Sequence, residues 1–157
     1  MKLVVALAGI VVILDQVVKW LALTRLSSGV PVPVIDRFFS LTLIMNPGLA
    51  FGMLSAVPPT WRWVVAVLSL GALGVLAALA VKLLPDGGKP AAIAMGLIFG
   101  GAAGNLIDRA RFGAVVDFLD FHWRGWHWPA FNVADSAISV GVALLALRML
   151  MTSPPRA

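Results

Sequence analysis

Residues 3–23 read LVVALAGIVVILDQVVKWLAL, an apolar run broken only by Asp15, Gln16 and Lys19. An α-helix rises about 1.5 Å per residue and the hydrocarbon core of a bilayer is about 30 Å thick, so the run is long enough to cross it. A lysine followed by an apolar stretch can also open a cleavable signal peptide. Here Asp15 and Lys19 interrupt the stretch and no small-residue cleavage site follows it cleanly, which makes it a retained transmembrane helix. Asp15 and Lys19 are four apart and share one helix face. Asp15 would lie roughly 18 Å in from Leu3, in the outer half of the bilayer. An isolated charge there costs about 2.5–3.5 kcal/mol on insertion scales. A mutual ion pair removes that cost. The same two residues could also form a polar platform for a substrate or a neighbouring loop.

The rest of the chain has the same character. Of its 157 residues 61% are hydrophobic and only 12% charged, where a soluble domain carries about a quarter charged. So few charges cannot cover a water-exposed surface, and the bilayer must be the main solvent. There is no cysteine, which excludes disulfides, thiolate metal sites and a cysteine nucleophile. Glutamate and tyrosine are missing too, so acid–base chemistry must draw on Asp15, Asp36, Asp86, Asp108, Asp117, Asp120 and Asp135, the two histidines, or lysine. The net charge of +5 is scattered and forms no basic stripe. Anionic lipid headgroups are therefore a simpler partner than nucleic acid.

The chain reads as one polytopic membrane domain, residues 1–157, with spans at about 3–23, 61–84, 91–107 and 134–151 and outer loops at 24–60 and 108–133. In the first loop, Pro31 and Pro33 restrict residues 30–35 to an edge strand. Residues 38–45 (FFSLTLIM) favour a strand. Asn46-Pro47-Gly48 reads as a turn, and a short amphipathic, interfacial stretch follows before Pro58-Pro59. Residues 85–90 (PDGGKP) read as a tight turn between the second and third spans. Gly96, Gly100 and Gly104 recur every four residues, placing them on one face for close helix packing. The aromatic cluster at 121–128 (FHWRGWHW) reads as an anchor at the membrane–water interface. Four spans put both termini on one side. A raw count of basic residues opposes the positive-inside rule, but the short segments sit inside if the termini do, and six of the seven aspartates then lie outside. Both ends are expected inside.

Asn105, Asp108 and Arg109 fall at the end of the third span. There Arg109 would keep Asp108 ionised, which suits an orienting role better than proton transfer. Asp117 sits in the apolar stretch Ala114–Leu119, where desolvation should raise its pKa. Asp135 opens the fourth helix, whose N-terminus favours the negative form. Two carboxyls in such unlike settings can hold one proton between them and activate a water. The plainer readings are a surface-loop acid for Asp117 and an N-cap or first-turn acid for Asp135. His122 and His127, five apart with no thiolate or glutamate nearby, fit a metal site poorly, and none is expected. No cofactor is implied.

Five segments together resemble the bacterial lipoprotein signal peptidase (signal peptidase II) family. They are Asp15–Lys19 (DQVVK), Asn46–Gly52 (NPGLAFG), Gly100–Arg109 (GGAAGNLIDR), Val115–Phe118 (VVDF) and Phe131–Ser136 (FNVADS). The resemblance implies an all-α membrane fold of four transmembrane helices with a small extracytoplasmic β-cradle and a surface helix. It implies an intramembrane aspartyl endopeptidase that cuts diacylglyceryl-modified prolipoproteins just before the lipidated cysteine. Asp117 and Asp135 stand at its catalytic positions. Asp15, Lys19, Asn46, Gly48, Asn105, Asp108, Arg109 and Asn132 stand at its substrate-binding or supporting ones, with Arg109 available to pair with Asp108. Leu49 occupies a place where a smaller residue is more usual. The implied setting is the bacterial inner membrane, with both termini cytoplasmic, the site near the outer face, and a monomer among lipids. A small proton- or ion-coupled transporter would use similar intramembrane acids. The acids cluster on one side, however, and no inverted repeat relates the halves.

Overall fold

A computed structural model describes residues 1–48 and 62–151. Helix α1 (Lys2–Arg25) stops where Leu26 turns to extended backbone. Its burial is inside-out. Val5, Ile10, Ile13, Leu14, Val17 and Trp20 are exposed, while Asp15 and Lys19 are 0% and 2% exposed. A water-soluble helix turns its apolar stripe inward. A helix that hides its charges and shows its apolar side chains has lipid for a solvent.

Helix α2 (Arg62–Phe112) carries the second and third expected spans. The turn expected at 85–90 reduces to a break at Gly88, whose φ of 59° and ψ of −157° suit glycine almost exclusively. The helix also runs past residue 107. It ends at Phe112 with Gly113 in left-handed conformation (φ 67°), whose N–H donates to the Arg109 carbonyl at 2.9 Å, an αL-type helix stop. Asn105, Asp108 and Arg109 therefore sit in the last turns of the helix, with Arg109 in the final one. Among the described residues, α1 and Gly88–Phe112 are long and apolar enough to cross a bilayer. Helix α3 (Val133–Met151) closes the helical layer.

The glycine periodicity sets how these helices meet. A Cβ on Gly96 would lie 2.7 Å from the Leu7 Cβ, and one on Gly100 would lie 2.6 Å from the Val11 Cβ and 2.8 Å from the Ala8 carbonyl oxygen. One on Gly104 would lie 2.5 Å from Asp15 Oδ2. All three face α1. Gly101, one residue round the helix, meets the Ala134 backbone of α3, and Gly141 of α3 packs against Ile98 and Ala94. The second arm of α2 is thus gripped between α1 and α3 at backbone contact distance.

A four-stranded antiparallel sheet, ordered β1-β2-β3-β4, caps one end of the helices. Strand β1 (Val32–Ile35) is the edge that its prolines require, and β2 (Phe39–Asn46) matches the expected second strand. Strand β3 (Val115–Trp123) occupies the interior of the sheet, where the sequence suggests only loop and aromatic anchor. Its first four residues are all buried, so the strand lacks the alternation that marks a half-exposed one. Its partner β4 (Trp126–His127) follows a two-residue turn, Arg124-Gly125, with positive φ at both positions, the geometry of a tight hairpin. The expected interfacial helix and Leu49 fall in residues 49–61, outside the described residues.

Candidate active site

The polar residues singled out in the sequence converge where α1, α2, α3 and β3 meet. Lys19 uses its ammonium donors on three oxygens, Asp108 Oδ2 at 2.7 Å, Asp15 Oδ2 at 2.9 Å and Asn105 Oδ1 at 2.9 Å. The expected Asp15–Lys19 pair is therefore present, and Asp108 joins it in a cluster of three charges. The remaining carboxylate oxygens are also satisfied. Asp15 Oδ1 accepts the Ala134 N–H at 2.9 Å, and Asp108 accepts the Val116 N–H at 3.0 Å and the Gln16 amide at 2.9 Å. Asp15 thus ties α1 to the start of α3, and Asp108 ties α2 to β3. Gln16, which carries no role in the sequence reading, also donates to the Gly104 carbonyl at 3.3 Å. Only the folded helix pair shows its contribution, since its partners lie about ninety positions away.

Asp108 does not take Arg109 as its partner. Neighbouring helix positions diverge by about 100°, so Asp108 points at α1 while Arg109 points elsewhere. Arg109 Nη2 donates to the Gly48 carbonyl at 2.9 Å, holding the turn that follows β2. Among the described residues its Nε is buried without an acceptor.

Asn132 links this cluster to the two aspartates of interest. It precedes α3, and its Oδ1 accepts the Asp135 N–H at 2.9 Å, an N-cap bond worth about 1 kcal/mol. Its Nδ2 donates to Asp117 Oδ1 at 2.7 Å, with longer contacts to Asn105 Oδ1 and the Val116 carbonyl. Asn46, at the end of β2, donates to the other Asp117 oxygen at 2.9 Å and accepts the Gly48 N–H at 3.0 Å. Asn105 donates to Asp135 Oδ1 at 2.8 Å. All ten residues singled out in the sequence therefore belong to one connected network. Asp117 and Asp135 sit at its rim, each reached by asparagine amides, and no cation lies within ion-pair distance of either among the described residues.

Burial pushes the Asp117 carboxyl up to about 7. The Asn46 amide opposes this by favouring the ionised form, Asp135 adds to it by like-charge repulsion, and Asn132 and Lys19 oppose it. A carboxyl that exchanges its proton near neutrality suits acid–base work. Asp120, three residues along β3, lies on the other face of the strand. There it accepts from Thr42 at 3.3 Å and pairs with His127 at 2.9 Å, outside the network.

The sequence matches the family model for signal peptidase (SPase) II over residues 7–151. The chain is 49% identical over 140 residues to a lipoprotein signal peptidase of Polynucleobacter necessarius, covering 89% of this chain and 84% of that one. It is 44% identical over 158 residues to one of Nitratidesulfovibrio vulgaris, covering 98% and 93%. The fold superposes on a bacterial membrane enzyme solved by the in meso method at 2.3 Å, with TM-score 0.77 and 32% identity, covering 100% of this chain and 94% of that one. The inside-out helices and this likeness define an integral membrane protein. Within that class, the chain belongs to the signal peptidase II family, a family of peptidases.

Proposed function

We propose that the chain is an intramembrane aspartyl endopeptidase that removes the signal peptide of prolipoproteins just before the diacylglyceryl-modified cysteine, with Asp117 and Asp135 as the catalytic pair. The observation that carries this reading is the contrast in charge compensation. The other buried acids of the network, Asp15 and Asp108, share the Lys19 ammonium as an ion-pair partner, whereas Asp117 is held by amides and has its pKa raised to about 7. In the proposed reaction the pair shares one proton. The ionised carboxylate takes a proton from water as its oxygen attacks the scissile carbonyl carbon. The protonated partner passes its proton to the carbonyl oxygen as negative charge develops there, giving a diol. Collapse of the diol returns one hydroxyl proton to that partner and breaks the C–N bond, while the first carboxyl gives the proton it took from water to the departing amine. Asp117 is the favoured proton carrier. Asn46, Asn105 and Asn132 hold the carboxyls in place.

The accompanying topology is four membrane spans, both termini cytoplasmic, the site near the outer face of the bacterial inner membrane, and a working monomer. Opening between helices on the bilayer side would admit the substrate's lipid chains. A proton-coupled transporter is not favoured, since the family match is to peptidases. The test is cleavage of a diacylglyceryl-modified prolipoprotein by the purified chain, followed by gel shift beside Asp117→Asn and Asp135→Asn. Cleavage before the lipidated cysteine, lost in both variants while they stay folded, is expected. Near-normal cleavage by either variant would refute the catalytic pair, and an inert wild type would refute the substrate.

A further inference from the structure

The end of the sheet opposite the aspartates is also chemically distinctive. Trp123 lies six residues along β3 from Asp117, roughly 20 Å at strand spacing. There the turn after β1 brings Asp36 and Arg37, and the turn after β3 brings Arg124 and Gly125, to a cleft of about 560 Å³ that His122 and Trp123 also line. Arg37 and Arg124 both adopt left-handed backbone, at φ 59° and 51°, which L-residues other than glycine, asparagine and aspartate seldom do. The Arg124 guanidinium lies 4.9 Å over the Trp123 ring. Among the described residues Arg37 has only Asp36 at 4.0 Å, with both side chains more than nine-tenths exposed, so neither charge is neutralised in place. The His122 ring nitrogen is engaged by Ser40 at 3.0 Å. Two guanidiniums thus face one carboxylate, and the cleft carries excess positive charge.

The surroundings of the cleft are apolar and bare. All four residues of β1 are exposed, Phe38 follows them, and Trp123 and Trp126 are 62% and 61% exposed. In water an uncovered apolar edge strand beside exposed tryptophans is an aggregation site. At a headgroup layer, tryptophan with arginine is the expected composition.

We propose that this end of the sheet rests in the headgroup layer and that Arg37 and Arg124 hold the phosphate of an anionic phospholipid. The inference rests on the chain being an integral membrane protein and not on which bond it cuts. Because β2 and β3 also carry Asn46 and Asp117, the contact fixes the height of those residues over the bilayer.

The test uses the full chain released from bilayers of mixed phosphatidylglycerol and phosphatidylcholine, with bound lipid counted by native mass spectrometry. No substrate is needed, so failure of the peptidase reading leaves this result intact, and the reverse. Wild type should retain phosphatidylglycerol over phosphatidylcholine by at least tenfold. The double variant Arg37→Gln/Arg124→Gln should lose that preference while circular dichroism stays unchanged. Arg25→Gln, which removes an exposed charge from the end of α1, should keep it. Equal retention by the double variant, or an equal loss with Arg25→Gln, overturns the proposal. So does displacement of the lipid by excess inorganic phosphate, which would make the cleft a site for soluble anions.

Discussion

Asp108 and Asp117 lie nine residues apart on either side of Gly113, and the fold treats them in opposite ways. Asp108 ends against the Lys19 ammonium with an amide on each oxygen. Asp117 also has an N–H on each oxygen, from the Asn46 and Asn132 side-chain amides, but no cation within ion-pair distance among the described residues. Both are nearly fully buried. The difference shows that burial alone does not make an acid reactive. A buried carboxylate with a cation is neutralised in place and serves as a strut. A buried carboxylate held only by neutral donors stays near its protonation midpoint, which is the state hydrolytic chemistry needs.

Substitution on either side tests that comparison. Asp117→Asn should cut prolipoprotein cleavage by about 10²–10⁴-fold, the range for losing a general acid or base, while the melting temperature holds or rises. An equal loss of cleavage and folding would place Asp117 among the struts. Lys19→Met should do the opposite, because it leaves two buried carboxylates uncompensated. About 3–5 kcal/mol of stability should go, read by denaturation in detergent, with activity below about pH 7 falling with the folded fraction, because loss of the Lys19 charge moves the Asp117 pKa only upward. Gly100→Ala, which touches neither acid, should cost about 1–3 kcal/mol through overpacking against Val11 and the Ala8 carbonyl. The smallest effect is the most specific. If the protonated form of Asp117 is the working one, activity falls as pH rises through about 7. The Asn46 amide favours the ionised form, so Asn46→Ala should raise the Asp117 pKa and move that alkaline limb to higher pH. A limb that stays put, or moves down, would break the link between the amide and the acid.

Much of this was readable before the fold was known, and for local reasons. The Asp15–Lys19 pair follows from four-residue spacing on a helix, the glycine face from a four-residue repeat, and the edge position of β1 from its prolines. The ten residues of the polar network follow from the family resemblance, but the unlike settings expected for Asp117 and Asp135 do not appear, because both are reached by asparagine amides and neither by a cation among the described residues. What escaped depends on long-range contacts. Strand β3 is buried along its first half and lost the alternation that would have marked it. The Lys19–Asp108 pair joins residues eighty-nine positions apart on two helices, whereas the adjacent Arg109 looked the nearer partner and points away. Gln16 was invisible as a support for the same reason. The hairpin at Arg124-Gly125 was hidden by aromatic residues that suggested only a surface anchor.

The most direct measurement of the central claim is an infrared pH titration of the protein carrying carboxyl-labelled aspartate, with Asp117→Asn beside it. A protonated carboxyl band that disappears with a midpoint near pH 7, and is missing from the variant, is the predicted result. No such band in wild type, or the same band in both proteins, would show that Asp117 does not carry the proton near neutrality and would contradict the account.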